Sequence, residues 1–209
     1  MQMPAPYRLA DQAAKQLNKA ALLAAEKIKE NLRLLGFDDL NVMQDIDSLY
    51  EELGKNNRKK FKELWRARCR EVLRWMDEDE IDELLEMHLA GLLDEPNSVT
   101  HYAYTTEVLR KRDRAKEAAL SVPTKAQKQI EIDKHLRYWL QMTGWYLDFV
   151  SQDAEISAFE AAGIKKVQRH ERDDEKTCSV CREADGQVYE VTKIPPLPHL
   201  RCRRWFTPV

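Results

Sequence analysis

Cys178-Ser-Val-Cys181 is followed, after seventeen residues, by His199-Leu-Arg-Cys202. Each pair holds two residues between its potential ligands, and a tight turn across such a gap aims both side chains at one point. Two pairs supply the four ligands of one tetrahedral zinc ion, and three of the chain's four cysteines fall in this set. About 45 residues of turns and proline loops, without a core-sized set of apolar side chains, need a staple of this kind. The stretch therefore predicts a small metal-built module at the C-terminal end of the protein.

Working outward, the texture changes at Gly163. Beyond it Ile164-Lys-Lys-Val-Gln-Arg-His170 alternates like a strand, Asp185-Gly186 is a hairpin-turn dipeptide, and Gln187-Val-Tyr-Glu-Val191 alternates again. Pro195-Pro-Leu-Pro198 stiffens the approach to His199. Before Gly163 the spacing is helical. Apolar residues recur from Leu9 to Leu35, with Gly36 as a stop. A helix over 39–53, ended by Gly54, precedes one over 57–76 that buries Phe61, Leu64, Trp65, Cys69, Val72, Leu73 and Met76. Further helices are expected over 79–93, 100–121, 125–150 (capped by Thr124) and 152–162. Trp139, Trp145, Tyr138, Tyr146 and Phe149 crowd one of them and are expected in the core. The fold class is mainly α: an elongated helical body over 1–162, and a β-hairpin zinc-knuckle module over 163–209.

Composition agrees. Of 209 residues, 33% are charged and only six are glycine, which favours solvated helices over a β-sandwich. No run approaches the roughly 20 apolar residues of a membrane span. Met1-Gln-Met-Pro-Ala-Pro6 lacks the regions of a signal peptide, so an intracellular setting with reduced thiols is expected.

Rival chemistries for the cysteines fit less well. A redox pair at Cys178/Cys181 lacks its βαβ context. Zinc deaminases place His-x-Glu before the Cys-x-x-Cys, the reverse of the order here, and His-Glu-x-x-His is absent. Four ligands also leave no open coordination position, so the expected cofactor is structural Zn2+ and no catalytic residue is assigned. Cys69, on an apolar helix face, reads as a core thiol.

Charge is segregated. Nine basic residues lie between Lys55 and Arg74 against two acids, and nine acids with no Lys or Arg lie between Asp77 and Glu95. Adjacent blocks of opposite sign read as a mutually paired helical hairpin. The alternative is a phosphate-facing surface with sequence-independent DNA binding. Its candidates are Arg58, Lys59, Lys60, Lys62 and Arg66, with Arg110, Lys111 and Arg112, and Arg201, Arg203 and Arg204 near the end.

The C-terminal run Thr177-Cys-Ser-Val-Cys181, then Asp185-Gly186, then Pro-Pro-Leu-Pro-His199-Leu-Arg-Cys202-Arg, resembles the tailed-phage minor head, or head morphogenesis, proteins, including the Mu F-like minor capsid proteins. Upstream, Asp94-Glu-Pro-Asn-Ser-Val-Thr-His-Tyr-Ala-Tyr104, with Glu107 and Arg110-Lys-Arg-Asp-Arg114, is similar to a segment of some members. The resemblance is specific over 163–209, weaker over 94–162 and weakest over the first 90 residues. Where the family often has a further cysteine, this chain has Arg204. The resemblance implies a structural virion component: few copies inside the head or at the portal vertex, made in the host cytoplasm. Its partners would be the portal protein, other head components and, through backbone phosphates, packaged double-stranded DNA. It implies head assembly and DNA packaging or delivery, with no enzymatic activity, small-molecule substrate or membrane.

Overall fold

Apolar residues at helical spacing carry most of the chain into five long helices: α1 (Ala5–Leu35), α2 (Asp39–Val72), α3 (Glu78–Asp94), α4 (Tyr104–Leu120) and α5 (Lys125–Ala161). The computed structural model describes residues 5–96, 102–172, 174–198, 202 and 204–209. After α5 come strand β1 (Lys166–His170), the short helix α6 (Ser179–Glu183), β2 (Val188–Glu190), a 3-10 turn (Val191–Lys193) and β3 (Trp205–Pro208). The fold is thus mainly helical, with a three-stranded antiparallel sheet of order β2-β1-β3 near the C-terminus. No helix among the described residues is long and apolar enough to cross a membrane.

The helix ends carry their sequence signals. Asp77 caps α3 reciprocally with Glu80: the Glu80 N–H donates to Asp77 Oδ1 at 2.9 Å, and the Asp77 N–H to Glu80 Oε2 at 3.2 Å. Thr124 and Gln127 do the same at α5. Gly36, at φ +100°, ends α1 with its N–H on the Leu32 carbonyl. Gly163, at φ +70°, ends α5 in a Schellman arrangement, in which the Gly163 N–H meets Glu160 O and the Ile164 N–H meets Phe159 O.

Two expected breaks are absent. Gly54 does not end a helix: α2 runs unbroken from Asp39 to Val72. A mid-helix glycine costs only about 1 kcal/mol, and the buried stripe of Leu49, Leu53, Asn57, Phe61 and Leu64 continues across it. α5 likewise runs through Ser151 and Gln152. Polar residues just beyond that point are bonded to other helices. Asp153 accepts from Trp65 Nε1 at 2.9 Å, Ser157 Oγ meets His88 Nδ1 at 3.0 Å, and Glu155 pairs with Arg68.

The chain forms two compact units, one of residues 1–13, 61–89 and 144–209, the other of 14–60 and 90–143. In the first unit the C-terminal segment has a core in common with helices. Val167, Val191 and Phe206 bury against Phe159, with Val72, Ile156 and Ile164 packed around them. In the second unit the buried side chains include Leu17, Ile28 and Leu32 of α1, Ile46, Leu49 and Tyr50 of α2, and Ile132, Leu136 and Trp139 of α5. Of the aromatic residues expected in the core, Trp139, Trp145 and Tyr146 are buried and Phe149 is half-buried, but Tyr138 is exposed.

The strands also differ in detail from expectation. Asp185-Gly186 does not make a two-residue hairpin. β1 and β2 pair in the register Lys166↔Glu190, Val167↔Tyr189 and Gln168↔Val188, so everything from 171 to 187 forms the excursion between them. The third strand, β3, was not expected and pairs with the other edge of β1, Phe206 opposite Arg169.

Candidate metal centre

Alternation along β1 puts Val167 and Arg169 on the buried side, and Glu171, just past the strand, follows them inward. Opposite charges two residues apart on a buried face neutralise one another: Arg169 Nε and Nη2 both donate to Glu171 Oε1, at 2.8 and 2.5 Å. Asp185 fixes the backbone at this point, its Oδ1 accepting the Glu171 N–H at 2.7 Å.

The excursion then brings in the cysteines. Cys178 is the N-cap of α6, and its Sγ accepts the Cys181 N–H at 3.5 Å. Cys202 approaches from the other side, and the Arg204 backbone N–H bonds to its sulfur. Cys181 Sγ and Cys202 Sγ lie 3.7 Å apart, far from the roughly 2.0 Å of a disulfide, and all four cysteines are free. Ligand atoms of Glu171, Cys181 and Cys202 all lie within 4.8 Å of one another, and all three residues are buried. Cys178 packs against the same cluster with Phe149, while Leu197 from the proline run closes it. Arg204 holds that run in place, donating to Pro195 O at 2.7 Å and Pro196 O at 3.2 Å.

Burial, then Cys178, Cys202 and Glu171, pushes the Cys181 thiol well up. The Cys202 thiol is raised as well, by burial first, with the Arg204 amide opposing. Arg169 Nη2 is 3.7 Å from Cys181 Sγ. Crowded anions in a buried site keep their protons unless a cation replaces them. Glu171, Cys181 and Cys202 together can hold a metal ion.

Of the four ligands expected from sequence, Cys178, Cys181 and Cys202 come together, and His199 lies outside the described residues. Glu171 was missed. Its signal is the period of β1: continuing the inward positions 167 and 169 by two reaches Glu171.

The basic residues are largely engaged. In the first unit Lys62 pairs with Glu86 at 2.8 Å, Arg66 with Asp82 and Arg70 with Glu78. In the second, Arg58 pairs with Asp94 at 2.6 Å. Arg110 and Lys111 both meet Glu107, at 3.1 and 3.7 Å, and Arg112 meets Asp47 at 3.3 Å. Lys60 is half-buried and has interactions of its own, while Lys59 is exposed. Arg201 and Arg203 lie outside the described residues. Arg204 corrects the expectation that it faces phosphates: it is buried and spends its donors on proline carbonyls.

No protein-family model, no curated protein and no solved structure matches this chain.

Proposed function

We propose that this chain is a minor head protein of a tailed phage or prophage, a structural component of the virion that acts at the portal vertex in head morphogenesis and DNA packaging or delivery. The observation that carries the reading is the convergence of Cys181 and Cys202, with Cys178 packed beside them, inside the Thr177-Cys-x-x-Cys…Asp185-Gly186…His199-x-x-Cys202-Arg pattern. The metal is structural Zn2+, held by Cys178, Cys181, Cys202 and His199, with Glu171 the other candidate for the fourth position. Support comes from the sulfur spacing: four sulfurs at a Zn–S distance of about 2.3 Å stand about 3.8 Å apart, against 3.7 Å for Cys181 and Cys202. The Arg204 backbone N–H on Cys202 Sγ works against burial and favours the thiolate form that zinc requires. Charge balances too. Three thiolates and one dication leave a single negative charge for Arg204 to offset, while Arg169 and Glu171 cancel.

Co-expression with the portal protein of the same phage should give a complex that survives size-exclusion chromatography, and purified virions should contain the chain. Failure to co-purify, together with absence from virions and proheads, would sink the reading. The competing reading, a sequence-independent DNA-binding zinc protein, requires duplex binding that weakens steeply with salt. It draws little support from basic helices whose charges already meet carboxylates.

A further inference from the structure

Between α2 and α4, within the second unit, lies a cavity of about 460 Å³, inside the roughly 300–1,000 Å³ range of small-molecule sites. Gly54 of α2 faces Val108 of α4, so that a Cβ built on Gly54 would stand 3.5 Å from Val108 Cγ1. Tyr50 and Tyr104 extend the apolar wall on either side.

The polar groups here are mostly donors. Tyr50 is 2% exposed, its ring edge-on to Trp139 at 5.3 Å, and its hydroxyl is buried away from the cavity space. Lys55, Arg58, Arg112 and Lys116 also line the cavity, against two carboxylates, Asp47 and Glu51. Asp47 alone serves both Arg112 and Lys116. Glu51 and Lys55 form an exposed pair at 2.6 Å, of a kind that yields readily to a competitor. Outside the cavity Arg58 meets Asp94, and Arg112 meets Asp113.

An apolar wall with four cations at the rim, two of them sharing the single carboxylate Asp47, selects an apolar body that ends in an acceptor-rich group. We infer that the α2/α4 cavity binds a small organic anion, an aromatic or aliphatic body carrying one carboxylate, sulfonate or phosphate. The body lies against Tyr50, Gly54 and Val108, and the anionic head displaces Asp47 from Arg112 and Lys116. This site is separate from the metal centre and does not depend on the phage reading.

The test is a fluorescence titration of the full, zinc-supplemented chain with 8-anilinonaphthalene-1-sulfonate, beside its uncharged analogue N-phenyl-1-naphthylamine. The sulfonate should saturate at a single site and bind at least about tenfold tighter than the neutral dye, a gap of roughly 1.4 kcal/mol. Gly54→Leu, which fills the cavity, and the double variant Arg112→Ala/Lys116→Ala should each weaken sulfonate binding about tenfold or more while circular dichroism stays unchanged. If Gly54→Leu perturbs the helices, the double variant alone decides. Equal binding of the two dyes, no saturable binding, or full binding by the folded variants would overturn the inference.

Discussion

Glu155 is a carboxylate that burial holds near neutrality, its carboxyl pushed up to about 7, while Arg68 and the Phe206 amide pull the other way. The ordinary value is 4.5, so between 4.5 and 7 the folded chain keeps a proton that the unfolded chain gives up. The stabilising contribution is complete below 4.5 and is lost as pH rises through 7. The unfolding free energy of the native chain, from urea titrations, should therefore fall between pH 5 and pH 8 by a few kcal/mol more than that of Glu155→Gln; parallel pH profiles would refute this. Cys69 behaves differently because only burial acts on it. With no exposed surface, and its thiol raised to about 11, it should resist thiol reagents at pH 8 in the native state and react on unfolding. Prompt labelling of the folded chain at Cys69 would contradict its placement. Both residues also mark what sequence can reveal. An apolar helical stripe made the burial of Cys69 readable. Nothing in Ser151-Gln-Asp-Ala-Glu155 announced that its acids turn inward, since their partners Arg68 and Trp65 lie more than 80 residues away.

Among the secondary-structure elements, glycine meant two different things. Gly36 and Gly163 adopt positive φ and end helices; Gly54 sits inside one. Residue type alone does not carry φ, so the three looked alike in the sequence. Gly163→Ala should destabilise the chain by about 1 kcal/mol, because a Cβ at φ +70° is strained. Gly54→Ala should be neutral or stabilising by up to about 1 kcal/mol, because it restores helix propensity at an ordinary contact distance. Chemical denaturation of the two variants checks both signs, and a Gly54→Ala that unfolds the chain would contradict the unbroken α2. The charge blocks were legible as elements. Their i, i+4 spacing on α2 (58, 62, 66, 70) meets the acidic series on α3, an arrangement readable from composition before any contact is known. The strand β3 was not legible. Four residues ending in Pro208 carry no alternation, and the pairing that makes them a strand comes from β1, some 40 residues earlier.

At the scale of the molecule, the C-terminal sheet is not a free-standing knob. Val167, Val191 and Phe206 share a core with Phe159, and the Phe206 N–H reaches Glu155 of α5 at 3.4 Å. Metal removal should therefore do more than loosen the sheet. The unit that contains residues 61–89 and 144–209 should lose protection together, with hydrogen exchange rising in α5 beyond Gly144 as well as in β1–β3. Exchange confined to 163–209 would mean that the sheet depends on metal and the helices do not. The cysteine spacing made the module visible from sequence, but its dependence on α2 and α5 was not, because a ligand pattern says nothing of the apolar surface behind it. The most direct test of the central claim is zinc analysis of the purified chain with X-ray absorption at the zinc edge. The account predicts about one zinc per chain, with three sulfur ligands and one nitrogen or oxygen at tetrahedral distances, lost on Cys181→Ser/Cys202→Ser. A chain expressed with ample zinc that carries none, or that keeps full occupancy after both cysteines are replaced, would contradict it.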